Sequence, residues 1–284
     1  MGTFFLLFSL ARPQLGTKLT PMKREGVDIV IAIDVSVSML AEDIKPNRLK
    51  KAKQEVNGLL SRLQGDRVGL VAFAGVSFIQ CPLTLDYSAA KMFLDIIDIN
   101  LIPQPGTAVG DAIRTSIKAF NQKERKYKVL ILLTDGEDHD SDPLGAAEEA
   151  SKEGIRIYTI GIGSGQGEPI PLRDNRGEVT GFKKDQEGSV VVSKLDEVTL
   201  QKIALTTGGK YYHATSGEME LDKIYDEISK MEKKELEGKL MTQYEDRYQY
   251  FLFLSVLFLV IEFLLSDRKS RRAMNRLKAK GESG

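Results

Sequence analysis

VDIVIAIDVSVS, residues 27–38, decides the fold. Its first seven residues form a nearly continuous apolar run apart from Asp28, the pattern of a strand buried on both faces of a parallel sheet. The run stops at Asp34, and Ser36 and Ser38 follow at every second residue. Parallel sheets gather their ligands beyond the carboxyl ends of the strands, so a buried strand that ends in a carboxylate and two hydroxyls puts oxygen donors at such a place.

Working outward, the same kind of strand recurs at residues 67–74 (RVGLVAFA), 128–133 (KVLILL) and 155–160 (IRIYTI). Between the first two strands, Leu49, Ala52, Val56, Leu59 and Leu63 fall three or four apart, the spacing of an amphipathic helix. A second helix over residues 109–120 puts Val109, Ile113, Ile117 and Phe120 on one face, and Pro143 is placed to begin a third. Strand and helix in alternation predict an α/β domain: a Rossmann-like, doubly wound, mainly parallel sheet flanked by helices through right-handed crossovers. Residues 164–193 break the rhythm with Gly and Pro punctuation and a turn at Asn175-Arg176-Gly177, so a hairpin insertion is expected there. A helix over 195–206, a short strand over 209–213 and a long charged helix over 218–240 follow.

The 284 residues carry 40 Lys plus Arg and 40 Asp plus Glu, a formal net charge of zero. With 42% hydrophobic and 28% charged residues the chain can bury a sizeable core. A balanced charge argues against a nucleic-acid partner, which would call for a basic excess. The single Cys, Cys81, excludes a disulfide framework or a cysteine-rich zinc site and is expected to be a small buried apolar residue.

The zero is an average over unlike parts. Residues 267–284 hold seven basic and two acidic side chains, and they follow an apolar run over 248–266, YQYFLFLSVLFLVIEFLLS. Nineteen helical residues reach roughly 28 Å, the thickness of a bilayer's hydrocarbon core. Tyr248 and Tyr250 fit an interfacial belt, Glu262 lies close to the basic end, and a transmembrane helix is expected. The flank over 230–247 has five basic residues against seven in the tail, which favours a cytoplasmic tail and residues 1–247 outside the cytoplasm. Residues 3–11, TFFLLFSLA, would reach only about 14 Å as helix and have no basic residues before them. They read as the remnant of an N-terminal membrane helix. The expected division is therefore a remnant and linker over 1–25, a globular domain over 26–216, a helical stalk over 217–247, the span over 248–266 and a basic tail over 267–284.

Three loops at strand ends carry the chemistry: Asp34, Ser36 and Ser38; Pro105 to Asp111 with Thr107; and Thr134 to Asp138 with Asp135. Few carboxylates among several hydroxyls suit a hard divalent cation, Mg2+ first, with Mn2+ and Ca2+ as alternatives. A site this poor in negative charge leaves the ion electrophilic, with a position free for an outside carboxylate. In the competing view Ser36 and Ser38 only cap a helix. Asp138, Asp140, Asp142 and Glu149 match EF-hand positions 1, 3, 5 and 12, but Pro143 stands where the loop needs Gly. Gly161-Ile162-Gly163 lacks the third glycine of a dinucleotide fingerprint, since Gln166 stands there. No GxSxG elbow occurs, and His139 and His213 are the only histidines. A metal-dependent hydrolase would need a richer carboxylate cluster, so no enzymatic activity is expected.

The set Asp34, Ser36, Ser38, Thr107 and Asp135 resembles the metal-ion-dependent adhesion site (MIDAS) of von Willebrand factor type A domains. The resemblance implies that Ser36 and Ser38 bond the metal directly, and that the other three do so directly or through water. Ala11-Arg12-Pro13-Gln14, Glu25-Gly26, Pro46-Asn47-Arg48-Leu49, Asp66-Arg67-Val68-Gly69-Leu70, Pro82-Leu83-Thr84 and Leu132-Leu133-Thr134-Asp135-Gly136 are similar to the Bat aerotolerance proteins of bacteria. That likeness implies a periplasmic A domain held at the inner membrane. It also implies a metal-dependent partner bearing an acidic residue, other Bat proteins and a MoxR-type ATPase as associates, and a role in aerotolerance or stress resistance. The chain departs from the family before Ala11, where only about nine residues of a membrane helix stand. The alternative function is a structural subunit with a vestigial metal site.

Overall fold

The computed structural model describes residues 14–17, 26–120, 127–138, 141–174, 176–215, 220–240, 244–246 and 252–261. Lys23–Lys230 forms one compact unit. Its strands are β1 (Asp28–Asp34), β2 (Arg67–Phe73), β3 (Ser77–Thr84), β4 (Lys128–Thr134), β5 (Ile155–Gly161), β6 (Glu168–Pro169), β7 (Pro171–Arg173), β8 (Val179–Phe182), β9 (Val192–Ser193) and β10 (Tyr211–His213). The helices are α1 (Arg48–Arg62), α2 (Tyr87–Ile96), α3 (Val109–Ala119), α4 (Pro143–Lys152), α5 (Glu197–Thr206) and α6 (Glu220–Leu240).

Among the described residues the main sheet runs in the order β10-β5-β4-β1-β2-β3. Every neighbouring pair is parallel except β2 with β3. All seven residues of β1 are buried, the apolar run from Ile29 to Ile33 together with the carboxylates at its two ends. Period-two alternation sends Val30 and Ala32 to one face, where they join Val71, Leu130 and Leu132 in a core covered by α3, α4 and α5. Ile29, Ile31 and Ile33 alternate to the other face and are fully buried. Each such side chain contributes roughly 1.5–3 kcal/mol by leaving water. Helix α1 buries Ala52, Val56, Leu59 and Leu60, and its cap residue Asn47 accepts from the Lys50 N–H at 2.8 Å. Asp142 caps α4, with Pro143 as its first residue.

Sequence periodicity did not mark β3 as a strand. It is an edge strand, half-buried along its length and broken by Pro82, which an edge tolerates because one row of its backbone groups faces outward. The segment over 164–193 lies outside the main sheet and forms two small antiparallel pairs, β6 with β9 and β7 with β8.

Two buried acids of this unit are paired. Asp28 takes a two-pronged bond from Arg67, Nε to Oδ1 at 2.8 Å and Nη2 to Oδ2 at 2.6 Å. Buried Asp66 accepts from the Val27 N–H at 2.9 Å and the Tyr225 hydroxyl at 2.9 Å, tying the start of β1 to α6. Asp66→Ala strands both donors, so the free energy of unfolding should drop by about 3 kcal/mol. Urea titration checks this, and a loss under about 1 kcal/mol would show that water reaches the two donors.

Outside this unit, Gln14–Thr17 pairs antiparallel with Tyr244–Asp246, and residues 252–261 are helical. Those ten residues are the described part of the expected span. Eight of them are exposed apolar side chains. The rest of the span, the apolar piece over 3–11 and the basic tail lie outside the described residues. Among the described residues, no helix is long and apolar enough to cross a membrane.

Candidate metal centre

The sheet register brings the Asp34 and Asp135 loops together, and a backbone bond at Ala108 adds the Thr107 loop. β1 lies between β2 and β4, with Asp34 opposite Phe73 and Ile33 opposite Leu133, so the residues that follow the three strands are neighbours at the carboxyl end of the sheet. The Val35 N–H donates to Phe73 O at 2.8 Å, and the Ala108 N–H to Ala74 O at 2.8 Å. The Thr107 loop therefore lies over the end of β2. Gly75 is needed for this approach, since a Cβ there would sit 2.5 Å from Pro105 O.

Asp34 is fully buried. Its Oδ1 accepts from the Ser36 N–H at 2.8 Å, and its Oδ2 from the Thr134 hydroxyl at 2.5 Å. The Ser36 and Ser38 Oγ atoms are 2.8 Å apart, and both side chains are buried. Ser36 precedes the short 3-10 turn Val37–Leu40, yet its side chain makes no capping bond. That leaves its hydroxyl facing Ser38 rather than spent on the turn. Thr107 is also buried.

Asp135 follows β4 and is fully buried. Its Oδ1 accepts from the Glu137 N–H at 3.2 Å; its Oδ2 accepts from Arg48 Nη1 at 2.9 Å and the Ser193 hydroxyl at 3.1 Å. Burial, and then the charge of Asp135, push the Asp34 carboxyl up to about 7, although bonds from Thr134 and Ser36 oppose the rise. Burial and Asp135 also raise Glu137.

Two buried carboxylates beside paired hydroxyls fit a hard divalent cation, which would relieve both the desolvation of Asp34 and its repulsion by Asp135. Among the described residues there is no cluster of three or more His, Cys, Asp or Glu suited to a metal, so a cation here would depend on hydroxyl ligands.

The acidic loop after β4 has other work. Asp138 Oδ1 accepts from the Val109 N–H at 2.9 Å and Oδ2 from the Ser141 N–H at 3.0 Å, while Ser141 Oγ accepts from the Gly110 N–H at 2.7 Å. Asp138 and Ser141 thus supply the caps that Ala108 cannot give α3. Of the EF-hand positions, Asp138 and Asp142 each serve a helix start and Asp140 lies outside the described residues, as does His139. Gly163 packs under Arg48, where a Cβ would lie 2.8 Å from Cζ. His213 stands on edge strand β10, with β5 and β4 between it and β1, roughly 14 Å away at ordinary strand spacing. It bonds Gly163 O and Glu197.

Sequence reasoning missed Thr134, Arg48 and Ser193. Arg48 had a legible signal: it lies on the buried stripe of its own helix with Ala52, Glu55 and Leu59. Beside the site, Glu137, Asp138, Lys194, Leu195 and Asp196 line a cleft of about 430 Å3.

This sheet order, with oxygen donors at the carboxyl ends of its central strands, defines a class of α/β domain. Residues 28–227 match the family model of the von Willebrand factor type A domain, and the chain belongs to that family, within its Bat aerotolerance group. It is 40% identical to the BatB structure from Bacteroides thetaiotaomicron, covering 73% of this chain and 100% of that one with a TM-score of 0.69. It is 38% identical to an aerotolerance-related membrane protein from Bacteroides fragilis, over 72% of this chain and 100% of that one, with a TM-score of 0.68. A Nocardia farcinica protein of the UPF0353 group is 30% identical over 80% of this chain and 69% of its own length.

Proposed function

We propose that the chain is a membrane-anchored module that binds a partner protein through a divalent metal, as an adhesion or scaffold component of a bacterial envelope complex linked to aerotolerance or stress resistance. The observation that carries this reading is the meeting of buried Asp34, Ser36, Ser38 and Asp135 at the carboxyl end of the central strands, with Thr107 buried in the loop beside them. Asp34, Ser36, Ser38, Thr107 and Asp135 would hold Mg2+, with Mn2+ or Ca2+ as alternatives. The bound ion would supply an electrophilic position for an acidic side chain of the partner. The protein's own part is to present the hydroxyls pre-paired, keep Asp34 dry, and hold Asp135 by Arg48 and Ser193. In this reading the chain is an interaction module rather than an enzyme.

A globular domain over 26–216, with its insertion over 164–193, would stand on a helical stalk over 217–247. The run over 248–266 would anchor it, supported by the exposed apolar residues of 252–261 and by a relative described as a membrane protein. The basic tail over 267–284 would lie in the cytoplasm and the domain in the periplasm. Other Bat proteins and a MoxR-type ATPase are the proposed associates.

The test is co-purification of the full chain from detergent-solubilised membranes with Mg2+ or with EDTA. Partners captured in Mg2+ should be lost in EDTA and with Ser36→Ala. Capture that is indifferent to both treatments would leave a structural subunit with a vestigial site as the surviving reading.

A further inference from the structure

A fully buried arginine is costly unless every donor is used. Arg48, at the first residue of α1, uses all five. Nε and Nη2 grip Asp43 at 2.9 and 2.7 Å, the planar fork matching the carboxylate. Nη1 donates to Asp135 Oδ2 at 2.9 Å and to Ser193 Oγ at 2.6 Å, and Nη2 reaches Ser193 O at 3.4 Å. Its underside rests on the backbone of Gly163, whose φ of +144° and lack of Cβ make room for the guanidinium.

These partners belong to two different things. Asp135 is an acid of the candidate metal centre. Ser193, on β9, is one foot of the segment over 164–193, and Asp43 also accepts from the Ser164 N–H, the other foot, at 2.7 Å. The feet are closed on each other by the Leu195 N–H to Ser164 O bond at 3.1 Å, and Arg173 within the insertion bonds Glu42 beside Asp43. A single guanidinium therefore lies between the metal-site acid and both feet of the insertion.

We propose that Arg48 is a positioning residue that holds Asp135 for the metal and couples occupancy of that site to the insertion over 164–193. The proposal rests on the metal-site reading above. Arg48 and Ser193 both occupy Oδ2 of Asp135, so this carboxylate faces a cation through Oδ1 only, and part of its charge is already balanced. The ion keeps more of its pull on a partner's carboxylate as a result. Any re-aiming of Asp135 on metal binding changes its hold on Arg48 and Ser193, and through them the feet of the insertion. A lysine cannot substitute, because one ammonium cannot span Asp43, Asp135 and Ser193 together.

The test is hydrogen exchange of the full chain in detergent, with and without Mg2+, in the wild type, Arg48→Lys and Ser193→Ala, with calorimetric titration of Mg2+ in parallel. In the wild type, Mg2+ should slow exchange at the Ser164 and Leu195 amides by about tenfold, the weight of one charge-assisted hydrogen bond, and this slowing should vanish in Arg48→Lys and shrink in Ser193→Ala, which keeps the direct Arg48–Asp135 bond. Mg2+ binding with no change at these amides, or with equal slowing in all three proteins, overturns the coupling and leaves the metal centre standing. An absence of binding heat in the wild type overturns the metal centre and the coupling with it. If Arg48→Lys does not fold, Ser193→Ala decides, because it removes only the hydroxyl between Arg48 and Asp135.

Discussion

Asp34→Asn is expected to abolish the rise in melting temperature that Mg2+ gives the wild type, while leaving the metal-free protein as stable as before or more so. Asp34 sits fully buried beside Asp135, and its charge is opposed by both burial and that neighbour. An amide of the same shape removes the repulsion, its oxygen accepting from the Ser36 N–H and its NH2 donating to the Thr134 hydroxyl oxygen. A cation held there would lose one of its two carboxylates. At a Mg2+ concentration of one hundred times Kd, binding adds roughly 2.7 kcal/mol to the wild type, or about 5–10 °C for a domain of this size. Scanning calorimetry of both proteins, with and without Mg2+, measures the two effects together. A variant that keeps the Mg2+ shift places the cation elsewhere, and a variant that melts well below the metal-free wild type makes Asp34 a structural acid.

Gly110→Ala should cost about 3–5 kcal/mol and weaken Mg2+ binding at the same time. A Cβ at Gly110 would lie 2.0 Å from Ser141 O and 2.9 Å from Asp142 O, backbone atoms that cannot swing aside. To make room, α3 must part from the loop after β4. That parting breaks the Gly110 N–H to Ser141 Oγ and Val109 N–H to Asp138 Oδ1 bonds, which join the Thr107 loop to the Asp135 loop. Urea unfolding gives the first effect and calorimetric titration the second. Gly181→Ala is the control, since no atom lies within 4 Å of a Cβ there, and it should stay within about 0.5 kcal/mol of the wild type. Equal effects from the two substitutions would show that the contact at Gly110 is not what holds the loops together.

Much of the fold could be read from the chain because burial writes a short-range period. The apolar runs of β1, β2, β4 and β5 became adjacent central strands, and the three-to-four spacing of Leu49, Ala52, Val56 and Leu59 became the buried stripe of α1. Strand β3 was not legible, because an edge strand is only half-buried and tolerates Pro82. Pro143 already ruled out an EF-hand in the acidic run after β4, but the use of that run was not legible: Asp138 is spent on the start of α3, a partner 29 positions away that no local pattern reveals.

The sequence by itself determined the buried strands, the helices between them and the residue types at the strand ends, since each depends on neighbours within about one turn or one pleat. It also placed Asp34, Ser36, Ser38, Thr107 and Asp135 in three loops, without their mutual distances. Only the tertiary structure decided that Ser36 faces Ser38 instead of capping a helix, that Thr134 holds Asp34, and that Arg48 joins Asp135 to Ser193 across separations of 87 and 145 residues. The reason is physical: a hydrogen bond depends on angles and a few tenths of an ångström. Sheet register and crossover packing set those quantities, and neither is written in the spacing of residues along the chain.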